Sequence, residues 1–136
     1  LVGSEMCIRD SIGAVQGIPV CFDAKECVAE TFPLQNIHEH QVEFMKNFEK
    51  QQGIAFILIY YSSRNILYYM RFEELYKFWM RAQNGGRKSF RFDELDERFF
   101  MKFFRGCYVP YLDALNLDLE LRDELDKTDE TAYNAK

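Results

Sequence analysis

The chain has 136 residues and a mass of 16.2 kDa, with 48% hydrophobic and 29% charged residues. That suits one globular domain with a real core and excludes fibrous, low-complexity and disordered classes. The net charge of −5 argues at first against a polyanionic partner, since phosphates are bound by Lys and Arg. Its distribution weakens that argument: residues 12–116 hold 13 basic and 13 acidic side chains, whereas 117–136 hold 3 basic and 7 acidic. The acidity lies mostly in the tail.

Residues 1–10, Leu-Val-Gly-Ser-Glu-Met-Cys-Ile-Arg-Asp, match the conceptual translation of a transposase-based sequencing adaptor. Residues 1–11 are therefore read as a foreign head and set aside from fold reasoning, with the native N-terminal part expected to be missing. A single folded domain is expected over 12–126 and a polar tail over 127–136. Cys7, Cys21, Cys27 and Cys107 form neither a CxxC pair nor a zinc-ligand spacing, so free thiols are expected.

Ile12–Val15 and Ile18–Lys25 are short segments rich in β-branched and apolar residues, separated by Gln16 and Gly17, which predicts a hairpin. Asn36 stands three before Glu39, a capping-box spacing, and Gly53 stands where a C′ glycine would end a helix over 37–51. Within it Ile37, Phe44, Met45 and Phe48 share one face, and Gln41 lies on that face. Ile54–Tyr61 is an unbroken apolar run, too short for a bilayer and suited to a buried strand. A strand over 66–72 follows the polar turn Ser62–Asn65. A helix over 73–82 then turns Leu75, Phe78, Trp79 and Ala82 inward. Gln83–Ser89 reads as a loop, with Arg81, Arg87, Lys88 and Arg91 clustered about it. Asp93–Phe100 suggests a helical turn, and Tyr111–Asp126 an amphipathic helix with a frayed polar end.

Asp23 and Lys25 stand two apart in an apolar strand, so both side chains point to one face. On the triplet alone, an ordinary Asp–Lys ion pair is the favoured reading. Asp10 across the hairpin and the inward Gln41 bring a second reading: two carboxylates and an amide oxygen make a hard-oxygen cage for magnesium. Lys25 would then steady the attacking water or the developing phosphate charge. His38 and His40 invite zinc, but two apart on a helix they should point in different directions, with His40 packing or hydrogen-bonding near Phe44. Cys21 is read as a small core residue, not a nucleophile. The basic loop is equally a solvated turn or a set of phosphate contacts. Of Tyr60, Tyr61, Tyr68 and Tyr69, alternation assigns half to the core and leaves the others as stacking platforms.

Five stretches in order carry a resemblance: Gly13–Gly17 (GAVQG), Phe22–Glu26 (FDAKE), Thr31–Asn36 (TFPLQN), His38–Gln41 (HEHQ) and Phe78–Ser89 (FWMRAQNGGRKS). With them the sequence resembles the PD-(D/E)xK nuclease superfamily and, within it, the RecU family of Holliday-junction resolvases, from Ile12 to about Asp123. The resemblance implies that Asp23 and Gln41 are metal ligands and that Lys25 stabilises the transition state. It also implies Asp10 as a ligand, with a threonine two residues earlier, where this chain has Ile8.

The expected architecture is α/β, a mixed β-sheet flanked by helices with a restriction-endonuclease-like core. The expected activity is magnesium-dependent cleavage of four-way DNA junctions in recombination and repair. A homodimer is expected, cytoplasmic and unattached to membranes, with a recombinase and a branch-migration helicase as possible partners. The rival reading from another class is a module that binds branched DNA or a partner protein without cutting. A nuclease specific for linear duplex is a third.

Overall fold

In a computed structural model the described residues are 12–15, 17–102 and 111–134. They fall into two compact units that divide between Phe103 and Phe104. The head, with Ile8 and Asp10, and also Cys7 and Cys107, lie outside the described residues.

The first unit is built on a five-stranded mixed sheet. Its strands are β1 (Ile12–Val15), β2 (Ile18–Cys27), β4 (Ile54–Tyr61), β5 (Ile66–Arg71) and β7 (Phe100–Lys102), side by side in that order. Only β2 and β4 run parallel. Parallel neighbours need a crossover, and the chain supplies it as β3 (Thr31–Pro33), a 3-10 turn over Leu34–Asn36 and α1 (Glu39–Lys50). The run expected to be a buried strand is β4 itself, with Ile54 through Ile59 all buried, as befits a central strand covered on both faces. Full burial of each such side chain stabilises the fold by roughly 1.5–3 kcal/mol.

The register sorts the two faces. Asp23 lies level with Ile57 and Met70, and Lys25 with Ile59 and Tyr68. The opposite face carries an aromatic row in which Phe22 stacks on Phe56 (5.1 Å), Phe56 on Tyr69 (4.2 Å) and Tyr69 on Phe99 (5.5 Å). Hydrogen bonds from Gln41 to Asp23 and between Tyr68 and Glu74 place α1 and α2 (Phe72–Gln83) on the Asp23 face. A small antiparallel sheet of β3 and β6 (Ser89–Arg91) joins them there, packed through Phe32, Phe90 and Phe78.

Several local expectations shift. The N-terminal cap of α1 is His38, whose amide donates to Gln41 Oε1 at 3.0 Å; Asn36 belongs to the preceding 3-10 turn. Both α1 and α2 close with a Schellman pattern. After α1, the amides of Gln52 and Gly53 reach the carbonyls of Glu49 and Phe48, and the left-handed residue is Gln52 (φ 67°) instead of Gly53. Gly53 is required for space, because a Cβ would sit 2.4 Å from the Phe48 ring. Phe44 is exposed, the buried stripe of α1 being Val42 and Met45. After α2, Gly85 takes the left-handed position (φ 89°) and the Gly86 amide reaches the Arg81 carbonyl at 2.8 Å. The second strand runs on to Cys27, Phe72 begins α2 instead of ending β5, and the segment 93–100 forms two 3-10 turns, Phe92–Glu94 and Glu97–Phe99.

The second unit contributes α3 (Tyr111–Asn134), which continues through the polar end beyond Asp126. No glycine or proline interrupts it, and Arg122 pairs with Asp118 one turn away at 2.9 Å.

Candidate active site

Strand β2 is apolar up to Asp23, so the carboxylate is carried into the sheet's covered face, where it is only 2% exposed. A buried carboxylate needs partners. Lys25, two residues on and on the same face, places Nζ 3.2 Å from Asp23 Oδ2. Gln41, on the first turn and a half of α1, donates from Nε2 to the same oxygen at 3.3 Å. The crossover therefore does local work: it delivers the amide of α1 onto a carboxylate of the strand that precedes it. Three residues that the sequence singled out for chemistry meet at one atom.

Gln41 is held from both ends, since its Oε1 accepts the His38 amide while Nε2 faces Asp23. Glu49, two turns further along α1, accepts the Ala55 amide at 2.6 Å. Burial, reinforced by Glu49, pushes the Cys21 thiol up to about 12. Cys21 is thus an un-ionised core thiol, in keeping with the sequence reading.

The donor set suits a hard cation. Magnesium is usually held by one or two carboxylates, keeps several waters and takes further oxygens from a substrate phosphate. Asp23 offers a buried carboxylate, whereas the Gln41 amide oxygen faces the His38 amide and would reach a cation beside Asp23 only with the amide turned over. Among the described residues no three His, Cys, Asp or Glu side chains are grouped as a metal centre. His38 and His40 do not diverge: their rings stack at 5.4 Å with 7° between planes, because His38 caps the helix in extended conformation (φ −82°, ψ 149°) and escapes its 100° step. Neither is buried against Phe44; both are exposed.

The basic loop is more organised than its sequence suggests. Arg81 stacks on Phe78 (4.9 Å), donates to the Ser89 carbonyl (2.7 Å) and pairs with Glu94 (2.8 Å). Arg87 reaches the same carboxylate at 3.2 Å, and the Arg91 amide donates to it at 2.8 Å. The Arg81 hydrogen bond, first among these contacts, draws the Glu94 carboxyl down to about 2. Arg91 pairs with Asp93 (3.1 Å), and the Lys88 side chain is exposed. The Lys88 carbonyl accepts the Leu34 amide at 3.0 Å, which ties this loop to the crossover that leads to Gln41. Sequence reasoning missed Glu94 as the hub; its spacing of three from Arg91 was the available signal. Of the four tyrosines, Tyr61, Tyr68 and Tyr69 are core, and Tyr60 donates to Asn65 at 2.8 Å.

Known proteins supply the class. The sequence matches the family model for Recombination protein U, RecU, over residues 4–117. The chain belongs to the RecU family. Among its curated relatives, the Holliday junction resolvase RecU of Pediococcus pentosaceus is 35% identical over 119 residues, covering 86% of this chain and 59% of that protein. The Holliday junction resolvase RecU of Bacillus subtilis is 38% identical over 109 residues (79% and 51%), and that of Bacillus licheniformis 45% identical over 89 residues (65% and 44%). The chain spans about half the length of these RecU relatives.

Proposed function

We propose that this chain acts as a magnesium-dependent endonuclease on branched DNA, cutting four-way junctions in recombination and repair. The observation that carries the reading is the convergence of Lys25 and Gln41 on the buried Asp23 carboxylate, at 3.2 and 3.3 Å, in a member of a family whose relatives are named Holliday junction resolvases. A buried ion pair is often no more stabilising than an apolar pair of similar volume. Its placement beside the Gln41 amide points to chemistry.

Asp23 would hold the cation, joined by the Oε1 of Gln41 once that amide turns over from its present bonds to His38 and Asp23, with Asp10 as a further carboxylate ligand. When bound, a divalent cation lowers the pKa of a coordinated water and neutralises charge on a phosphoryl oxygen. Lys25 carries the part of the work that belongs to the chain itself. Its ammonium is fixed beside Asp23, positioned to orient the attacking water and to offset negative charge as the phosphate reaches the transition state. Arg87, Lys88 and Arg91 would contact DNA backbone, adding sequence-independent, salt-sensitive affinity. Arg81 belongs to the same cluster but is committed to Glu94 and Ser89, so its contribution is to hold the loop in shape.

A two-fold homodimer would present two such sites for paired cuts on a symmetric junction. Among the described residues no helix is long and apolar enough to cross a membrane, and the reading places the protein in the cytoplasm beside a recombinase and a branch-migration helicase. The deciding experiment is nicking of a synthetic four-way junction by this chain with and without magnesium, beside a linear duplex at equal salt. Magnesium-dependent nicking of the junction that disappears in Lys25→Ala supports the proposal. Tight junction binding with no nicking in any divalent cation would replace it with the binding-module reading.

A further inference from the structure

The side-chain amide of Gln41 lies between a donor and an acceptor. As the third residue of α1 it accepts the amide proton of the capping residue His38 on Oε1 at 3.0 Å, and its Nε2 donates to Asp23 Oδ2 at 3.3 Å. An amide oxygen can only accept and an amide nitrogen only donate, so this orientation alone satisfies both neighbours. Turned over, the group would set Oε1 against a carboxylate oxygen and Nε2 against an N–H. Asp23 is 2% exposed, so water does not relieve the repulsion at that end.

A divalent cation bound to Asp23 reverses the demand at that end. It needs an oxygen where the carboxylate needs a donor, and Gln41 can supply one only by giving up the His38 amide. At the other end the loss is small, because His38 is exposed and water can take over as acceptor. The rest of the turn has no reason to move: the His38 carbonyl accepts the Gln41 and Val42 amides at 3.0 and 3.2 Å, through backbone alone.

We infer that Gln41 is a two-position latch: its amide caps α1 while Asp23 faces it as an acceptor, and turns over to uncap the helix when a divalent cation binds. The inference rests on the cation-dependent reading above and deepens it by naming what cation entry must undo. Cap and cation compete for one side chain, so the helix holds the cation affinity of the site down, by about fivefold for a cap of ordinary strength. A carboxylate at the same position would face no such choice, since one oxygen could keep the His38 amide while the other met the cation.

The test is amide hydrogen exchange of the full chain, read residue by residue by NMR in EDTA and in saturating magnesium, beside calorimetry of magnesium binding. The His38 amide should lose protection by about fivefold when magnesium binds, while the Gln41 and Val42 amides keep theirs. Gln41→Glu should bind magnesium at least about fivefold more tightly, with the His38 amide equally protected in both conditions. Gln41→Met, which can neither cap nor ligate, should leave that amide unprotected in both. Should Gln41→Glu fail to fold in EDTA beside Asp23, the wild type and Gln41→Met carry the comparison. Magnesium binding with no change at His38 overturns the latch and leaves the nuclease reading intact, the cation then displacing Lys25 from Oδ2 without turning Gln41. No magnesium binding by the wild type, with or without a four-way junction, overturns both.

Discussion

Carboxylates meet basic side chains at two places in this molecule. Asp23 is 2% exposed and receives Lys25 and Gln41; Glu94 has a side chain 19% exposed and receives Arg81, Arg87 and the Arg91 amide. The contacts are similar in length, but the surroundings differ. Around Asp23 the sheet and α1 exclude water, so forming the pair costs desolvation that its attraction scarcely offsets. Around Glu94, solvent keeps that cost small, and several donors sharing one carboxylate fold a glycine-rich loop into a fixed outline. On the proposed reading the first cluster serves a substrate, while the second holds the chain.

The largest effect should come from separating chemistry from stability at the buried pair. Lys25→Met should lower junction nicking by about 10²–10³-fold, the loss typical of removing one transition-state charge partner. It should also destabilise the fold by roughly 3–5 kcal/mol, because Asp23 is left buried without its cation partner. The double variant Asp23→Leu/Lys25→Met should regain wild-type stability or exceed it in urea titrations while remaining inactive. A double variant as unstable as the single one would mean that the pair supports the fold, and the contrast with Glu94 would collapse.

Next in size is the turn that carries the basic loop. A Cβ on Gly86 would lie 2.7 Å from the Arg81 carbonyl oxygen, a backbone atom that cannot rotate away. Gly86→Ala should therefore cost about 1–3 kcal/mol as local strain. Gly85→Ala, in open space but at φ 89°, should cost about 1–2 kcal/mol from left-handed backbone alone. Both should weaken junction binding more than they slow nicking of saturating substrate. Equal losses in the two would place the loop in catalysis. Glu94→Gln should be milder, weakening junction binding by several-fold through a loosened loop with a raised proteolysis rate at Arg87 or Lys88.

Much of this was legible beforehand, for reasons particular residues show. The run Ile54–Tyr61 is apolar at every position, and only a strand covered on both faces suits it. Asp23 and Lys25 share a face because strand side chains alternate, and Gln41 faced them because its helix had one buried stripe. What failed were matters of a single residue. Periodicity placed Phe44 inward beside Met45, but the buried stripe of the helix is Val42 and Met45, and Phe44 lies exposed with its ring stacked on Phe48. The cap at His38 instead of Asn36 aligned two histidines that helical spacing would have separated. Glu94 was invisible because its partners come from the end of α2, the loop and β6, and pairwise spacing reports only one of the three.

The finest test uses acidity, because two carboxyls in the first unit are displaced in opposite directions. Arg81, with the Arg91 amide, draws Glu94 from the ordinary 4.5 to about 2. Burial pushes Glu74 upward, against the hydrogen bond from Tyr68. A depressed carboxyl stabilises the fold above its unfolded value and loses that contribution as pH falls, so the Glu94 hub should hold through 4.5 and fail toward about 2. A raised carboxyl behaves inversely: the Glu74 contribution is complete below 4.5 and is lost as pH rises through its folded value. Two amides report the difference. The Arg91 amide is bound by Glu94 (2.8 Å), and the Asp96 amide by the Tyr68 hydroxyl, which also bonds Glu74 (3.0 and 2.5 Å). Hydrogen exchange, corrected for its intrinsic pH dependence, should show Arg91 deprotected on the acid side and Asp96 on the basic side. Parallel profiles would show that both amides report global unfolding and that the exposed hub confers no local order of its own.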